Sequence, residues 1–151
     1  MSVAPSAVDL GIESRKLQRL YQDWLDQRRG RFMPARADFD VVDLGYIVGD
    51  LNLLDVLYEP LRFRFRVHGS NAVSRLGFDL TGKTVDDYPD PDYRDVVREH
   101  YAEVVQSKIP KRISRDPFRH RDRVLRWEGL VLPLSADGER VTMLMVGLSV
   151  G

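Results

Sequence analysis

The first clear pattern in the chain is an apolar stripe at helical spacing. After a lead-in over residues 1–13, apolar side chains recur every three or four positions, and Gly30 follows where a helix would end. The pattern predicts an amphipathic helix of about four turns. The stripe consists of Leu17, Leu20, Tyr21, Trp24 and Leu25.

Strict alternation of apolar and basic residues follows over residues 62–68. A strand points successive side chains to opposite faces, so this alternation predicts a half-buried antiparallel strand. We expect its buried face to carry Phe63, Phe65 and Val67. The opposite face would carry Arg62, Arg64, Arg66 and His68.

The remaining segments predict short helices and further strands. We expect short helical turns over residues 41–48, then helices over residues 70–76 and 93–106, the latter capped by Asp92. Strands are predicted over residues 53–58, 111–118, 124–134 and 141–150, with a hairpin turn at residues 135–138. The order of these elements indicates an α+β fold with one antiparallel sheet.

Residues 77–84, GFDLTGKT, satisfy the pattern of a phosphate-binding P-loop. Such a loop must follow a strand and open a helix, so that backbone amides point at the phosphates. Here the motif follows a predicted helix and runs into an acidic, proline-containing segment over residues 85–91. We therefore predict a connecting loop and no nucleotide site.

Composition limits the remaining classes of protein. The chain has 151 residues, with 23 basic and 23 acidic side chains and no cysteine. The charge balance gives no general attraction to nucleic acid or to anionic lipid, so we expect neither to be a partner. Without a leader or an apolar run long enough for a membrane span, we expect a cytoplasmic protein with one domain over residues 14–150.

Residues 71–88, NAVSRLGFDLTGKTVDDY, resemble a segment of PAS domains in which a helix is followed by a glycine and an aromatic residue, then after two or three residues by a Leu/Ile-Gly-Lys step and an acidic step. Residues 91–93 resemble the entry into the long helix of that family. Upstream residues, including Trp24, Arg28 and residues 34–40, resemble a stand-alone PAS-like subgroup common in alphaproteobacteria. The resemblance implies a five-stranded antiparallel sheet with short connecting helices, one longer helix and an N-terminal amphipathic helix.

The PAS resemblance also implies a sensory or docking module with a pocket between the sheet and the short helices. We expect such a protein to bind a small ligand, a partner protein or both, without catalysis. No nucleophile lies beside a base in the sequence, which agrees with that expectation. The residues expected to line the pocket are Phe65, Arg66, Val67, His100, Tyr101, Trp127, Met143 and Met145.

His100 raises the alternative of a haem sensor, because haem-binding PAS domains resemble this arrangement in taking a histidine from the long helix. No other haem-specific residue is visible, and we favour a histidine at the edge of the core. The absence of cysteine excludes a cysteinyl-flavin adduct. The sequence leaves the identity of any ligand open.

A local excess of basic residues lies between residues 108 and 126 and raises a second alternative. It could bind an anionic second messenger or nucleic acid. We favour a solvated hairpin, because no ladder of aromatic residues interleaves the charges. The basic side chains are Lys108, Lys111, Arg112, Arg115, Arg119, Arg121, Arg123 and Arg126.

The N-terminal stripe predicts a homodimer. Its five apolar side chains must cover either the sheet of their own chain or a second copy. PAS domains resembling this chain often use a helix before the first strand as an interface. We therefore expect the stripe to form a dimer interface, together with contacts to an unnamed signalling protein.

Overall fold

A computed structural model describes residues 4–120 and 123–151, and side chains for these residues except 115–125. The described helices and strands follow the predicted order closely. The α-helices are α1 (Arg15–Arg28), α2 (Ser70–Leu76) and α3 (Pro91–Ser107). The strands are β1 (Leu51–Leu57), β2 (Arg62–Val67), β3 (Lys111–His120), β4 (Arg123–Leu134) and β5 (Met143–Val150). One-turn helices lie at Arg36–Asp38, Val41–Leu44, Val48–Asp50 and Val85–Asp87.

The strands form one antiparallel sheet in the order β2-β1-β5-β4-β3. The chain leaves the sheet after β2, passes through α2 and α3, and returns at the opposite edge, so the last strand closes the gap beside β1. The hairpin β1–β2 and the three-stranded meander β3–β4–β5 are thereby joined in the centre of the sheet, where β1 pairs with β5. This arrangement confirms the predicted α+β fold.

Helix α3 begins two residues earlier than the sequence pattern suggested. Asp90, and not Asp92, is its N-cap, and the Asp90 carboxylate accepts from the backbone N–H of Asp92 at 2.9 Å. Pro91 occupies the first helical position, where its fixed φ suits the helix and its missing N–H costs nothing. An aspartate followed by proline therefore outweighs the later aspartate as a start signal.

The apolar stripe of α1 packs on one face of the sheet of its own chain. Gly147 in β5 makes room for it, because a Cβ there would lie 2.6 Å from Leu20 Cδ2 and 2.9 Å from Leu17 Cδ2. The indole N–H of Trp24 donates to the carbonyl oxygen of Pro133 in β4 at 2.9 Å. We call this side of the sheet the α1 face.

This packing corrects the assignment of the stripe to a dimer interface. Leu17, Leu20 and Trp24 are at most 1% exposed within a single chain, so they have no surface left for a second copy. Tyr21 and Leu25 lie at the margin of the same core and are partly buried. The helix packs on its own sheet because β5 presents apolar side chains and Gly147 leaves room for Leu17 and Leu20.

A β-bulge in β2 reverses the predicted faces at the end of that strand. Leu54 pairs with Phe65, but Leu53 pairs with Val67, so Arg66 has no opposite residue. The extra residue turns Val67 away from the face that carries Phe65, and Val67 is 43% exposed. His68, predicted among the exposed arginines, is buried instead.

Glu128 in β4 anchors the start of α1. Its carboxylate accepts from the backbone N–H groups of Glu13 at 2.9 Å and Ser14 at 2.8 Å, and from Arg112 Nε at 2.5 Å. Although burial raises the pKa of this carboxyl group, the Glu13, Arg112 and Ser14 hydrogen bonds bring it below its ordinary value. Glu128 therefore has a structural role, because it holds the residues that lead into α1 against β4.

Candidate functional site

The face of the sheet opposite α1 carries a cluster of aromatic rings. Phe63 and Tyr101 meet edge to face with their centroids 5.4 Å apart, and Phe65 meets Tyr88 in the same way at 5.9 Å. The His68 imidazole lies 4.9 Å from the Phe65 ring. Such edge-to-face contacts fix the orientation of each ring. We call this cluster the aromatic face.

Helix α3 supplies the cover of the aromatic face. Val97, Tyr101 and Val104 recur at intervals of four and three residues, are all buried, and follow one side of the helix. Because Tyr101 contacts Phe63 of β2, that side faces the sheet. The cover therefore places a buried phenol beside the aromatic rings of the edge strand.

The P-loop lookalike, residues 77–84, closes the open edge of the sheet. Phe65 N–H donates to the carbonyl oxygen of Lys83 at 2.8 Å, and Gly82 N–H donates to the carbonyl oxygen of Phe65 at 2.7 Å. Gly82 adopts φ +84°, a conformation that L side chains rarely adopt. Gly82 therefore serves a loop that pairs with the edge strand β2. This structural role accounts for the motif without a bound nucleotide.

His68 ties the same loop to the aromatic face. Its Nδ1 accepts from the backbone N–H of Leu80 at 3.0 Å, so the neutral imidazole carries its proton on Nε2. Burial lowers the pKa of His68, and the Asp79 carboxylate, 3.8 Å from Nδ1, partly opposes that shift. Leu80 itself is completely buried. The closed position of the loop therefore depends on an uncharged histidine.

The tyrosine hydroxyl groups of the site remain protonated. Burial raises the pKa of Tyr101 well above its ordinary value, and the neighbouring Tyr88 and Tyr93 add to the shift. Burial, together with the contact to Tyr93, likewise raises the pKa of Tyr88. Protonated phenols can both donate and accept hydrogen bonds. The site thus combines apolar rings with a few fixed polar groups.

The structure divides the predicted pocket residues between several places. Phe65 and Tyr101 both lie on the aromatic face, Phe65 against Tyr88 and Tyr101 against Phe63. Trp127 shares that face because its ring lies beside Gly129 and Leu148. Met145 pairs with Leu53 and shares the α1 face with Gly147, two positions further along β5. Met143, two positions earlier, lies on that face as well.

Two predicted pocket residues, Arg66 and Val67, are exposed, and the bulge in β2 accounts for Val67. Arg66 points to solvent and forms an ion pair with Asp55 at 3.0 Å, while Arg64 reaches the other oxygen of Asp55 at 3.2 Å. Val67 leaves the aromatic face as described above. Arg64 and Arg66 are therefore both paired with a carboxylate of their own chain.

His100 lies at the margin of the aromatic face, one residue before Tyr101. Its Nδ1 is buried and has no hydrogen-bond partner within the described part of the chain. Burial lowers the pKa of His100, and the nearby Lys111 ammonium group acts in the same direction. The imidazole therefore stays neutral near pH 7 and retains a free acceptor or donor nitrogen.

The basic segment over residues 108–126 is described only in part. Arg121 lies outside the described residues, and the side chains of Arg115, Arg119 and Arg123 are likewise outside them. Two of the remaining cations are neutralised: Lys111 pairs with Glu103, and Arg112 pairs with Glu128. These pairs reduce the charge that the sequence count assigns to the segment.

Within residues 4–120 and 123–151, no helix is long and apolar enough to span a membrane. In the same part of the chain, no group of three or more histidine, aspartate or glutamate side chains is placed to hold a metal ion.

Comparison with known families identifies the class. The model of the PAS domain matches residues 12–148, from the start of α1 to β5, and the chain therefore belongs to the PAS family. PAS domains are sensory and signalling modules. No curated protein matches the sequence.

Among solved structures similar to the chain, one with a TM-score above 0.5 supports the fold. The PAS domain of Bordetella pertussis BvgS is similar with a TM-score of 0.52 and 16% identity over 68% of this chain and 79% of that chain. A diguanylate cyclase N-terminal domain with a PAS/PAC sensor from Marinobacter aquaeolei has a TM-score of 0.44 and 15% identity over 66% of this chain and 93% of that chain. A fungal LOV-domain photoreceptor has a TM-score of 0.44 and 14% identity over 76% of this chain and 93% of that chain.

Sequence patterns missed three residues of the site: His68, Leu80 and Tyr88. The alternation in β2 assigned His68 to the exposed face, because a bulge leaves no mark in a hydrophobic pattern. Leu80 sat inside a motif that drew attention to its glycines and lysine. Tyr88 stood in a loop between acids and Pro89, and a buried role for it follows only from its contact with Phe65.

Proposed function

We propose that this PAS domain is a non-catalytic regulator that binds a small ligand on the aromatic face. The carrying observation is the environment of His68, a buried imidazole placed among aromatic rings and bonded to the loop over residues 77–84. Small-molecule sites are mostly apolar with a few fixed polar groups, and this face has that composition. The ligand it suits has an apolar or aromatic body and one hydrogen-bonding group.

Binding on this face requires the loop over residues 77–84 to move. In the closed form Leu80 is completely buried, and Tyr101 of α3 contacts Phe63 of β2. The loop is held by two backbone bonds to Phe65 and one bond to His68, so its opening leaves the strand pairs within the sheet intact. Such an opening would convert occupancy into a change of surface at the sheet edge, which a signalling partner can detect.

The first experiment asks whether the full chain retains a ligand. Native mass spectrometry of freshly purified protein reveals any retained small molecule by its added mass, and an absorption spectrum reports a haem band at His100. A retained organic molecule supports the proposal. A haem band would favour the haem sensor instead.

The second experiment uses indole as a probe of an emptied site. Saturable chemical-shift changes at the amides of Phe65, Leu80 and Tyr101 are expected, because the probe would bind on the aromatic face and open the loop that carries Leu80. Tyr101→Phe should weaken any hydrogen-bonding ligand by about five- to tenfold. Tyr58→Phe is the matched control, since the Tyr58 hydroxyl donates to Val141 away from this face. The proposal would be contradicted if the protein retained no small molecule and indole caused no chemical-shift changes.

A further inference from the structure

A groove between α1 and the turn from α3 to β3 holds the N-terminal segment of the chain. Residues 5–8, which form neither helix nor strand, lie along Tyr21, Trp24 and Arg28 on one side. Lys108 and Pro110 form part of the opposite side. A cavity of about 30 Å³ remains, which is enough for a water molecule. The groove is thus occupied, with little space left over.

The contacts of this segment are made by its backbone. The Tyr21 hydroxyl accepts from the N–H of Val8 at 3.2 Å and donates to the carbonyl oxygen of Val8 at 2.8 Å. Arg28 Nη1 donates to the carbonyl oxygen of Pro5 at 2.9 Å. Contacts of this kind recognise an extended chain and place few demands on its side chains.

Arg28 is the unusual member of the groove. Arg28 is only 9% exposed, and its Nε is buried without a hydrogen-bond partner among the described residues. No carboxylate in that part of the chain lies within ion-pair distance of it. A buried guanidinium is normally paired, and its planar fork fits a carboxylate through two parallel hydrogen bonds. The carbonyl of Pro5 satisfies one N–H group and leaves the charge unbalanced.

The walls of the groove share this imbalance. Lys108 adds a second cation, and no aspartate or glutamate among the described residues lines the groove. The Trp24 ring lies 5.2 Å from the Arg28 guanidinium carbon and holds the group in place. An occupant that presents a carboxylate at the position of the Pro5 carbonyl would supply the missing negative charge.

We propose that this groove binds an extended peptide segment of a partner protein that carries a carboxylate, in place of residues 5–8. A small anion would use Arg28 but not the two backbone contacts of Tyr21, which select a peptide. The N-terminal segment of a second copy would bring the same neutral carbonyl as this chain's own segment, so it would not balance the charge. The lead-in therefore acts as an intramolecular competitor that an acidic partner segment displaces.

The test measures binding of two peptides to the full chain by fluorescence anisotropy. The peptides ADSAVDL and ANSAVDL copy residues 4–10, with aspartate or asparagine in place of Pro5. A charge-assisted hydrogen bond is stronger than a neutral one, so the aspartate peptide should bind about tenfold more tightly. Arg28→Gln should abolish that ratio. Arg15→Gln, which removes an exposed cation at the start of the same helix, should preserve it.

Several outcomes would overturn the proposal. Equal affinities for the two peptides, or no binding of either, would show that Arg28 does not select a carboxylate. Acetate binding that matches the aspartate peptide would reduce the groove to a small-anion site. A dimer in which residues 5–8 are exchanged between copies, detected by sedimentation and intermolecular nuclear Overhauser effects, would make a second copy the occupant. If Arg28→Gln does not fold, Arg28→Lys must still show a reduced preference for the aspartate peptide.

Discussion

The two faces of the sheet are covered in different ways. On the α1 face, aliphatic side chains and Trp24 interlock with a strand that carries Gly147 to admit them. On the aromatic face, the cover combines α3 with a loop, and buried polar groups of His68, Tyr88 and Tyr101 lie among the rings. The first cover lies close against the backbone of β5, whereas the second depends on a few hydrogen bonds.

This difference separates stability from response. A tightly packed aliphatic interface loses free energy steeply when it is disturbed, because it cannot collapse around a missing group. A buried polar network is sensitive to protonation and to ligands that compete for its hydrogen bonds. We therefore expect the α1 face to set the free energy of unfolding and the aromatic face to carry the signal.

The largest expected effect comes from the α1 face. Leu20→Ala should lower the free energy of unfolding by about 3–5 kcal/mol, because Leu20 is completely buried against Gly147. Leu80→Ala, also completely buried but on the loop of the aromatic face, should cost about 1.5–3 kcal/mol because the loop can adjust. Urea denaturation measures both variants. Equal losses would remove the proposed contrast between the faces.

The next effect concerns the anchor of α1. Glu128→Gln should cost about 2 kcal/mol in urea denaturation, because an amide cannot replace all three charge-assisted hydrogen bonds. Since the folded-state pKa of Glu128 is lowered, its contribution is present above the ordinary value of 4.5 and is lost as pH falls through the folded-state pKa. The variant should lose this part of the acid sensitivity. An unchanged acid limb would disprove the anchoring role.

A smaller effect is expected at the aromatic face as pH falls below neutrality. Burial lowers the folded-state pKa of His68, so the unfolded chain binds the proton more readily. The contribution of neutral His68 is fully present above the ordinary value of 6.5 and declines as pH falls toward the folded-state pKa.

Hydrogen exchange of the Leu80 amide measures this response. Exchange should accelerate in that pH range, after correction for the intrinsic rate, because protonated Nδ1 cannot accept its hydrogen bond. His68→Asn keeps an acceptor near the same position and removes the titration, so Leu80 should then show no such step. His100 titrates in the same direction, and persistence of the step in His68→Asn would assign it to His100 instead.

The smallest effect is expected at the P-loop lookalike. Lys83→Ala should change the free energy of unfolding by less than about 0.5 kcal/mol, because its exposed side chain forms no described contact. Gly82→Val should cost about 1 kcal/mol or more, because φ is +84° there. Isothermal titration should detect no ATP binding. Micromolar ATP affinity that disappears in Lys83→Ala would restore the nucleotide interpretation.

The sequence by itself determined the order and type of most elements. Helical spacing located α1, alternation located β2, and the residues around GFDLTGKT indicated a PAS-like sequence. These predictions succeeded because side-chain period and turn chemistry act locally along the chain. Phe65 and Tyr101, expected from the sequence to line a pocket, are both buried on the aromatic face, and their role in ligand binding stays a prediction.

Only the tertiary structure decided which face each side chain joins. Arg66 has no cross-strand partner in the sheet, and this bulge turns Val67 to solvent and His68 into the interior. Strand pairing placed Met145 on the α1 face. The absence of a side chain at Gly147 lets the apolar stripe of α1 pack on the sheet of its own chain. A strand's period of two makes every face assignment depend on register, and register is fixed by pairing between segments far apart in the chain. No local pattern contains that information.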